Sequence, residues 1–291
     1  MTSPAYSAAQ QITGGGGSWG VPRWQAPLAP NPPLTRDRSL VVRSTPVEWP
    51  AAIGKVAVMN GSQSVPWLAS LSGMPLNVSS PATPWRFVTT QSPWFPRMSR
   101  RVQVPVDPWI EGHPRVPLFP WDVGPGAWDR HCIIVGPDSI IEMIGFDPRY
   151  NTCLGYAEIG LDGALLPGSD GWMCAGQVSI ARHTITADSF TNPHVSGIVI
   201  PDYSGWDGSL PAGVFPKVGD RLRLAQVPLA VSLIGGHALA VAKMLHTHGC
   251  RVIDRSGGPV ATLWVASGAH LNGSNIDQLR LPLSSFHLVT T

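Results

Sequence analysis

The stretch from Trp128 to Met143 constrains the fold more than any other part of the chain. It holds two apolar runs, one from Cys132 to Val135 and a second that ends at Glu142, separated by a Gly-Pro-Asp sequence. Because these three residue types favour tight turns, the stretch predicts a β-hairpin. The apolar residues are continuous in both runs, so both faces of the strands are expected to be covered and the hairpin to lie in a core.

Proline and glycine recur along most of the chain, with 30 Pro and 31 Gly among 291 residues, while charged residues make up only 13%. This composition disfavours long helices and favours many short strands joined by turns. Strict polar and apolar alternation from Arg101 to Val106 is typical of a half-buried strand. Further strands are predicted at Leu40–Val42, Val56–Met59, Trp85–Thr89, His194–Ile200, Gly219–Leu224, Cys250–Asp254 and Ala261–Val265, the last two across a Gly257-Gly258 turn.

One segment, His237 to His248, has the pattern of a helix. Its apolar residues recur three and four positions apart, which gives the helix one apolar face, and Gly249 follows where a C-terminal cap is favoured. We therefore predict a mainly β fold: an antiparallel β-sandwich or jelly roll of short strands, with one short helix near 237–248.

Residues 1–45 differ from the rest of the chain and are predicted to form an extended Gly/Pro-rich arm, which leaves 46–291 as the β-sandwich domain. The arm has four consecutive glycines, then many prolines with Trp19, Trp24 and Leu28 among them. Such a segment cannot bury enough apolar surface to fold alone. It is either a disordered tail or an arm that becomes ordered on a neighbouring subunit through these three side chains.

Charge and hydropathy exclude several classes of protein. A net charge of +2 is too small to favour a nucleic-acid partner. No apolar run approaches the ~20 residues that a membrane helix needs, and the N-terminus has no secretory signal pattern. The four cysteines, Cys132, Cys153, Cys174 and Cys250, form no CxxC pair, so buried free thiols are expected. We expect no cofactor and no metal.

The residues that carry acid and base chemistry are expected to lie near the hairpin, and they are Glu111, Asp129, His131, Glu142 and Asp254. Two carboxylates about 5 to 9.5 Å apart across a cleft cleave glycosides, with a histidine as base or proton shuttle. The alternative is structural: a buried Asp-Arg-His network that satisfies its own charges, with Arg130 beside Asp129 as a natural pair.

A binding role is the other alternative that the residues leave open. The tryptophans available for it are Trp109, Trp128, Trp172, Trp206 and Trp264, with Arg130 as a polar contact. Exposed aromatic rings stack on sugar faces, and β-sandwiches present such rings on loops or on a sheet face. Trp206 is the best placed, because it lies in a Ser-Gly-Trp-Asp-Gly loop, although it would equally suit a contact with a neighbouring subunit.

Seven short motifs follow one another in order: Trp109-Ile110-Glu111-Gly112, Asp129-Arg130-His131, Ile141-Glu142-Met143, Pro193-His194-Val195, Gly219 to Leu224, His237 to Gly249, and Val252-Ile253-Asp254. This order resembles a family of largely uncharacterised bacterial β-sandwich proteins with an Asp-Arg-His strand. The sequence departs from the family pattern at Met143, where an aliphatic residue is usual, and from Gly145 to Gly171.

The Gly/Pro/Trp-rich arm, the preference for Arg over Lys and the many tryptophans look like a minor tail protein of an actinobacterial tailed phage. This resemblance implies a structural virion protein, located in the phage tail and oligomeric in the assembly. Such a protein would contact host surface glycans or neighbouring tail subunits during host attachment. The alternative is a glycoside hydrolase or lyase that acts on cell-envelope polysaccharide, and we favour the protein without enzymatic activity.

Overall fold

The computed structural model of the chain describes residues 36–39, 45–46, 67–108, 110, 130–201, 216–256, 261–266, 275–282 and 285–289. Strands predominate: β1 Thr45–Pro46, β2 Trp67–Met74, β3 Leu76–Val78, β4 Trp85–Thr90, β5 Ser99–Gln103, β6 Cys132–Val135, β7 Ser139–Ile144, β8 Thr152–Cys153, β9 Gly155–Gly160, β10 Ser196–Pro201, β11 Arg221–Leu224, β12 Cys250–Ser256, β13 Ala261–Ala266, β14 Leu281–Pro282 and β15 Phe286–Leu288. The helices are α1 Ile180–His183, α2 Leu229–Ile234 and α3 Gly236–Thr247, with 3₁₀ turns at Ala187–Phe190 and Ile276–Gln278.

The strands form three mixed sheets. The large sheet has the order β1-β15-β11-β12-β10-β13-β2-β14, the middle sheet β3-β6-β7-β9 and the small sheet β5-β4-β8. The predicted mainly β fold is confirmed, but the strands are not antiparallel throughout, because β10/β12, β13/β2, β3/β6 and β4/β8 are parallel pairs. A parallel pair needs a long crossover connection, and α2 and α3 lie within the one between β10 and β12.

The central hairpin is confirmed, with β6 and β7 antiparallel from Cys132 opposite Met143 to Val135 opposite Ile140. One face of the hairpin packs against the large sheet, where Ile133 and Ile140 join the core cluster of Trp264. The other face packs against the small sheet, in a cluster that includes Cys132, Ile134, Val88 and Val102. The middle sheet is therefore covered on both faces, as the continuous apolar runs predicted.

Helix α3 covers the opposite face of the large sheet. Ala238, Val241, Ala242 and Leu245 are buried, as the spacing predicted, and they pack with Leu222 and Leu224 of β11. Gly249 follows the helix with a φ of +76°, the left-handed conformation that favours glycine at a helix end. The predicted helix and its cap are confirmed.

One predicted connection is wrong, and one strand was not predicted. The region from Gly145 to Gly171, which departs from the family pattern, contains β9, which pairs with β7 over six residues. Its sequence, Gly-Tyr-Ala-Glu-Ile-Gly, has weak strand propensity, and pairing with a buried neighbour overrides it. Strands β12 and β13 are not neighbours across a turn, because β10, whose apolar residues are buried on both faces, lies between them.

The described end of the predicted arm packs on the domain itself. Arg36 is buried and donates to the Ser189 hydroxyl (2.8 Å) and the Thr186 hydroxyl (3.0 Å). The Val195 amide donates to the Asp37 carbonyl at 2.8 Å. Trp19, Trp24 and Leu28 lie outside the described residues, as do the strands predicted at 40–42 and 56–59, so the subunit contacts of the arm stay a prediction.

Gly176 provides the sharpest test of the packing between β12 and the segment before α1. A Cβ at this position would lie 2.7 Å from the Ile253 Cα, which is backbone and cannot move aside cheaply. We expect Gly176→Ala to lower the free energy of unfolding by about 1–3 kcal/mol, the usual cost of overpacking. Ala175→Ser also adds one heavy atom, but at an exposed neighbour, and should change little. Urea unfolding of both variants measures this, and equal stabilities would contradict the close packing.

Candidate functional site

Two of the predicted catalytic residues, His131 and Glu142, lie on the same side of the middle sheet. Side chains two positions apart on a strand share a face. His131 therefore faces the same way as Ile133, and Glu142 the same way as Ile140, both toward the large sheet. Between the two sheets runs the segment 173–181, which leads into α1. We call His131, Glu142, Cys174, Ser179 and Ala181 the Glu142 cluster.

Glu142 is fully buried, with 0% of its surface exposed. Its Oε1 accepts a hydrogen bond from the Ser179 hydroxyl at 2.7 Å and another from the Ala181 amide at 2.9 Å. Ser179 is also the N-cap of α1, where its side chain accepts from the Arg182 amide. The carboxyl group therefore holds the first turn of α1 against β7. Its Oε2 has no hydrogen-bond partner among the described residues.

Burial raises the pKa of Glu142 above its ordinary value. The hydrogen bonds from Ala181 and Ser179, and the charge of His131, act in the opposite direction but do not outweigh desolvation. A buried carboxyl with one unpaired oxygen is more stable neutral than ionised. The site therefore favours a protonated Glu142 over a wider pH range than an exposed glutamate.

His131 and Cys174 complete the inner side of the cluster. His131 is buried, its Nε2 lies 3.2 Å from the Met173 carbonyl oxygen, and its ring forms a T-shaped contact with the Trp264 ring, with centroids 6.0 Å apart. The Cys174 thiol donates to the Val178 carbonyl at 3.2 Å. Burial raises its pKa to about 12, and the carboxylates of Glu142 and Asp254 act in the same direction. Cys174 is therefore a thiol at neutral pH and a poor nucleophile.

The Asp-Arg-His motif does not form one cluster, because its arginine and histidine lie on opposite sides of the middle sheet. Arg130 is buried and its Nη2 donates to the Phe146 carbonyl at 3.1 Å. Burial lowers its pKa, and the carboxylate whose charge opposes this is Asp147, which also forms an ion pair with Arg149 at 2.6 Å. Asp129, the predicted partner of Arg130, lies outside the described residues.

The remaining predicted residues fall into two groups. Outside the described part of the chain lie Glu111, Asp129, Trp109, Trp128 and Trp206. The other two tryptophans named for binding belong to the core: Trp264 is buried in β13, and Trp172 packs partly buried against the same inter-sheet cluster. Asp254 lies on β12 near Cys174, whose pKa its charge raises.

A second buried polar cluster, centred on Arg36, was not predicted. Its guanidinium contacts both ring nitrogens of His194, at 3.1 and 3.0 Å, besides Thr186 and Ser189. Burial lowers the pKa of His194 well below its ordinary value, with the charge of Arg36 as the next cause, and burial lowers the pKa of His183 to about 4. No local pattern signals this cluster, because Arg36 and its partners are about 150 positions apart in the chain.

The cysteines are free and buried at all four positions, as predicted. Among the described residues no group of three or more His, Cys, Asp or Glu side chains is arranged to hold a metal ion. No helix in that part of the chain has the length and apolar character needed to span a membrane. A cavity of about 360 Å³ lies between α3 and the Ala187–Phe190 turn, away from the Glu142 cluster, with Lys243 and His248 among its lining residues.

Comparisons with known proteins found no relative for the chain. No protein-family model matches it, and no curated protein or solved structure is significantly similar to it. The resemblances to a bacterial β-sandwich family and to a phage minor tail protein therefore stay predictions.

The buried carboxyl predicts a pH dependence of stability that Glu142→Gln should remove. Above the ordinary pKa of 4.5 the unfolded chain ionises Glu142 while the folded protein resists, so wild-type stability falls as the pH rises toward the raised pKa. Each unit of difference between the two pKa values corresponds to about 1.4 kcal/mol. Glutamine does not ionise, so the stability of the variant relative to wild type should increase with pH.

The measurement is urea unfolding of both proteins at pH 4.5, 6 and 8. Asp138→Asn, which removes a carboxylate from the exposed hairpin turn, is the control for a change in net charge. A stability difference between Glu142→Gln and wild type that stays constant with pH would contradict a raised pKa at Glu142.

Proposed function

We propose that the chain is a structural virion protein, a minor tail protein of a phage, whose domain contacts host surface glycans or neighbouring tail subunits. The location in a phage tail is supported by the composition of the chain and by the Gly/Pro-rich arm. The observation that favours a structural role over catalysis is the complete burial of Glu142, whose carboxyl accepts hydrogen bonds from Ser179 and Ala181.

Acid and base catalysis on a polysaccharide requires groups that reach the glycosidic oxygen. A general acid must come within about 2.6–3.2 Å of the atom that it protonates. Glu142 and His131 are enclosed between two sheets, and their partners Ser179, Ala181 and Met173 are internal. This arrangement stabilises the fold and does not favour the hydrolase or lyase. Such an enzyme would depend on Asp254, which is partly buried on β12, and on Glu111 and Asp129, which lie outside the described residues.

The surface also supports a binding role. Nine large apolar side chains of the described residues are exposed, and six of them belong to the small sheet and the segments next to it: Trp85, Phe87, Trp94, Met98, Val106 and Tyr150. Exposed apolar groups that gather in one region mark contact surfaces, whereas scattered ones need no explanation. These exposed side chains support a binding role for the small sheet and the segments next to it.

Two assays on the full chain test the proposal. We expect wild type and Glu142→Gln to release no reducing ends from host cell-wall glycans above the buffer blank. We expect gold-labelled antibodies against the chain to decorate the tail of purified phage particles in electron micrographs. Reducing ends released by wild type and not by Glu142→Gln would favour the hydrolase instead, and particles without label would contradict the location.

A further inference from the structure

The small sheet presents one exposed face that is built from aromatic and cationic side chains. Its central residues are Trp85 and Phe87 on β4 and Arg101 on β5, with exposed fractions of 53% for Trp85 and 69% for Phe87. Thr89 and Ser99 lie at one end. We call these five residues the aromatic face.

Strand register explains why these side chains share a face. Phe87 lies opposite Arg101, and Thr89 lies opposite Ser99. Trp85 is two residues before Phe87, so it points the same way. The alternate residues Val88 and Val102 point inward and are buried in the cluster shared with the middle sheet. The core therefore fixes the backbone beneath the face.

Contacts within the face hold its side chains in place. The Arg101 guanidinium lies 4.8 Å from the centre of the Trp85 ring, in cation–π contact. The Thr89 and Ser99 hydroxyl oxygens are 2.8 Å apart and share one hydrogen bond, which leaves further donor and acceptor capacity. The Phe87 ring is the most exposed of the group. The side chains of the aromatic face are therefore held in position by their mutual contacts, and the Phe87 ring at its centre is exposed to solvent.

Two exposed arginines on and next to the small sheet outnumber the one exposed acid of the segment after β5, Asp107. Of the arginines on the small sheet and its adjoining turns, Arg100 is neutralised by Asp170 at 2.5 Å and Arg149 by Asp147 at 2.6 Å. Arg101 and Arg97, which lies in the loop between β4 and β5, are exposed and form no ion pair with any described residue. An anionic occupant would compensate them.

We propose that the aromatic face binds a polysaccharide that carries carboxylate groups. The apolar side of a sugar ring stacks on Phe87 and Trp85, as sugars do on exposed aromatic rings. The Arg101 guanidinium pairs with a carboxylate, for which its planar fork of donors is suited. The hydroxyl groups of Thr89 and Ser99 form hydrogen bonds with sugar hydroxyl groups. An open sheet face accommodates an extended polymer, whereas small ligands favour enclosed pockets.

Two other ligands of the aromatic face, a second copy of the chain and a single-stranded nucleic acid, fit it less well than an acidic polysaccharide does. A second copy of the chain, docked about a two-fold axis that passes through the centre of the face, would bring the two Arg101 side chains together, where they repel. Single-stranded nucleic acid binds along positively charged grooves, whereas the aromatic face is an open sheet surface with one arginine at its centre. That the ligand is a glycan rests on the proposed function. The inference adds which surface binds the glycan and that the glycan is negatively charged.

The test is binding of the full chain to immobilised polygalacturonate in 0.15 M NaCl. Fully methyl-esterified polygalacturonate is the matched neutral probe, because it differs only in its carboxylates. We expect wild type to prefer the charged polymer by about tenfold or more. Phe87→Ala should weaken binding of the charged polymer by about tenfold through lost stacking. Arg101→Ala should abolish the preference for carboxylate, and Arg101→Lys should retain only part of it.

Leu233→Ala is the control, because Leu233 is 80% exposed on α2, outside the small sheet. It should bind as wild type does. Equal urea midpoints would confirm that Phe87→Ala and Arg101→Ala are folded. The inference is overturned if wild type binds neither polymer, or if Phe87→Ala and Arg101→Ala bind like wild type. It is also overturned if polydeoxythymidylate binds as tightly, or if sedimentation shows self-association that Phe87→Ala abolishes.

The particle labelling described above keeps the two proposals apart. Loss of polygalacturonate binding in Phe87→Ala without label on the tail would support the aromatic face and contradict the virion role. Label on the tail without any polymer binding would do the reverse.

Discussion

The arrangement of the two larger sheets depends on the hydrogen bonds that the buried carboxyl of Glu142 accepts. Placing a carboxyl between sheets costs free energy unless hydrogen bonds replace its contacts with water. Ser179 and Ala181 supply two such bonds, and in doing so they fix the start of α1 against β7. The Gly176 amide bonds to the Ile253 carbonyl at 2.7 Å, which attaches the same segment to β12. One short segment therefore joins the middle sheet to the large sheet.

The same constraint bears on what the chain does. A group that holds a loop by two hydrogen bonds, with no exposed surface, is not available to a polymer substrate. Two residues of the Asp-Arg-His motif also lie on opposite sides of the middle sheet. Arg130 donates to the Phe146 carbonyl, and His131 contacts the Trp264 ring. Both residues act on the fold through buried contacts. The exposed rings of the small sheet lie apart from these buried contacts, and the proposed binding is assigned to them.

Much of the fold follows from local patterns in the sequence. The β6–β7 hairpin, the alternation in β11 and the helix α3 each depend on residues close together in the chain. Glu142 and His131 both belong to the hairpin region and face the same side of the middle sheet, where the charge of His131 acts on the pKa of Glu142. What local patterns do not contain is the partner of a buried polar group: Ser179 is 37 positions from Glu142, and Ser189 is 153 from Arg36.

The aromatic face shows a different limit. The strand at β4 was predicted, but Phe87 and Val88 are both apolar, so the pattern does not tell which face is buried. Val88 is buried because β4 packs on the middle sheet, a contact between strands far apart in sequence. The tryptophans named for binding did not include Trp85, and two of them, Trp172 and Trp264, belong to the core.

Hydrogen–deuterium exchange of the Ala181 amide tests most directly whether the Glu142 cluster is a structural junction. This amide donates to the Glu142 carboxyl inside the protein. It should therefore exchange as slowly as the amides of β6 and β7 in wild type, and it should become faster in Glu142→Ala. Exchange in wild type as fast as that of the loop 91–98 would contradict the account, because the segment before α1 would then open readily and expose Glu142 to solvent.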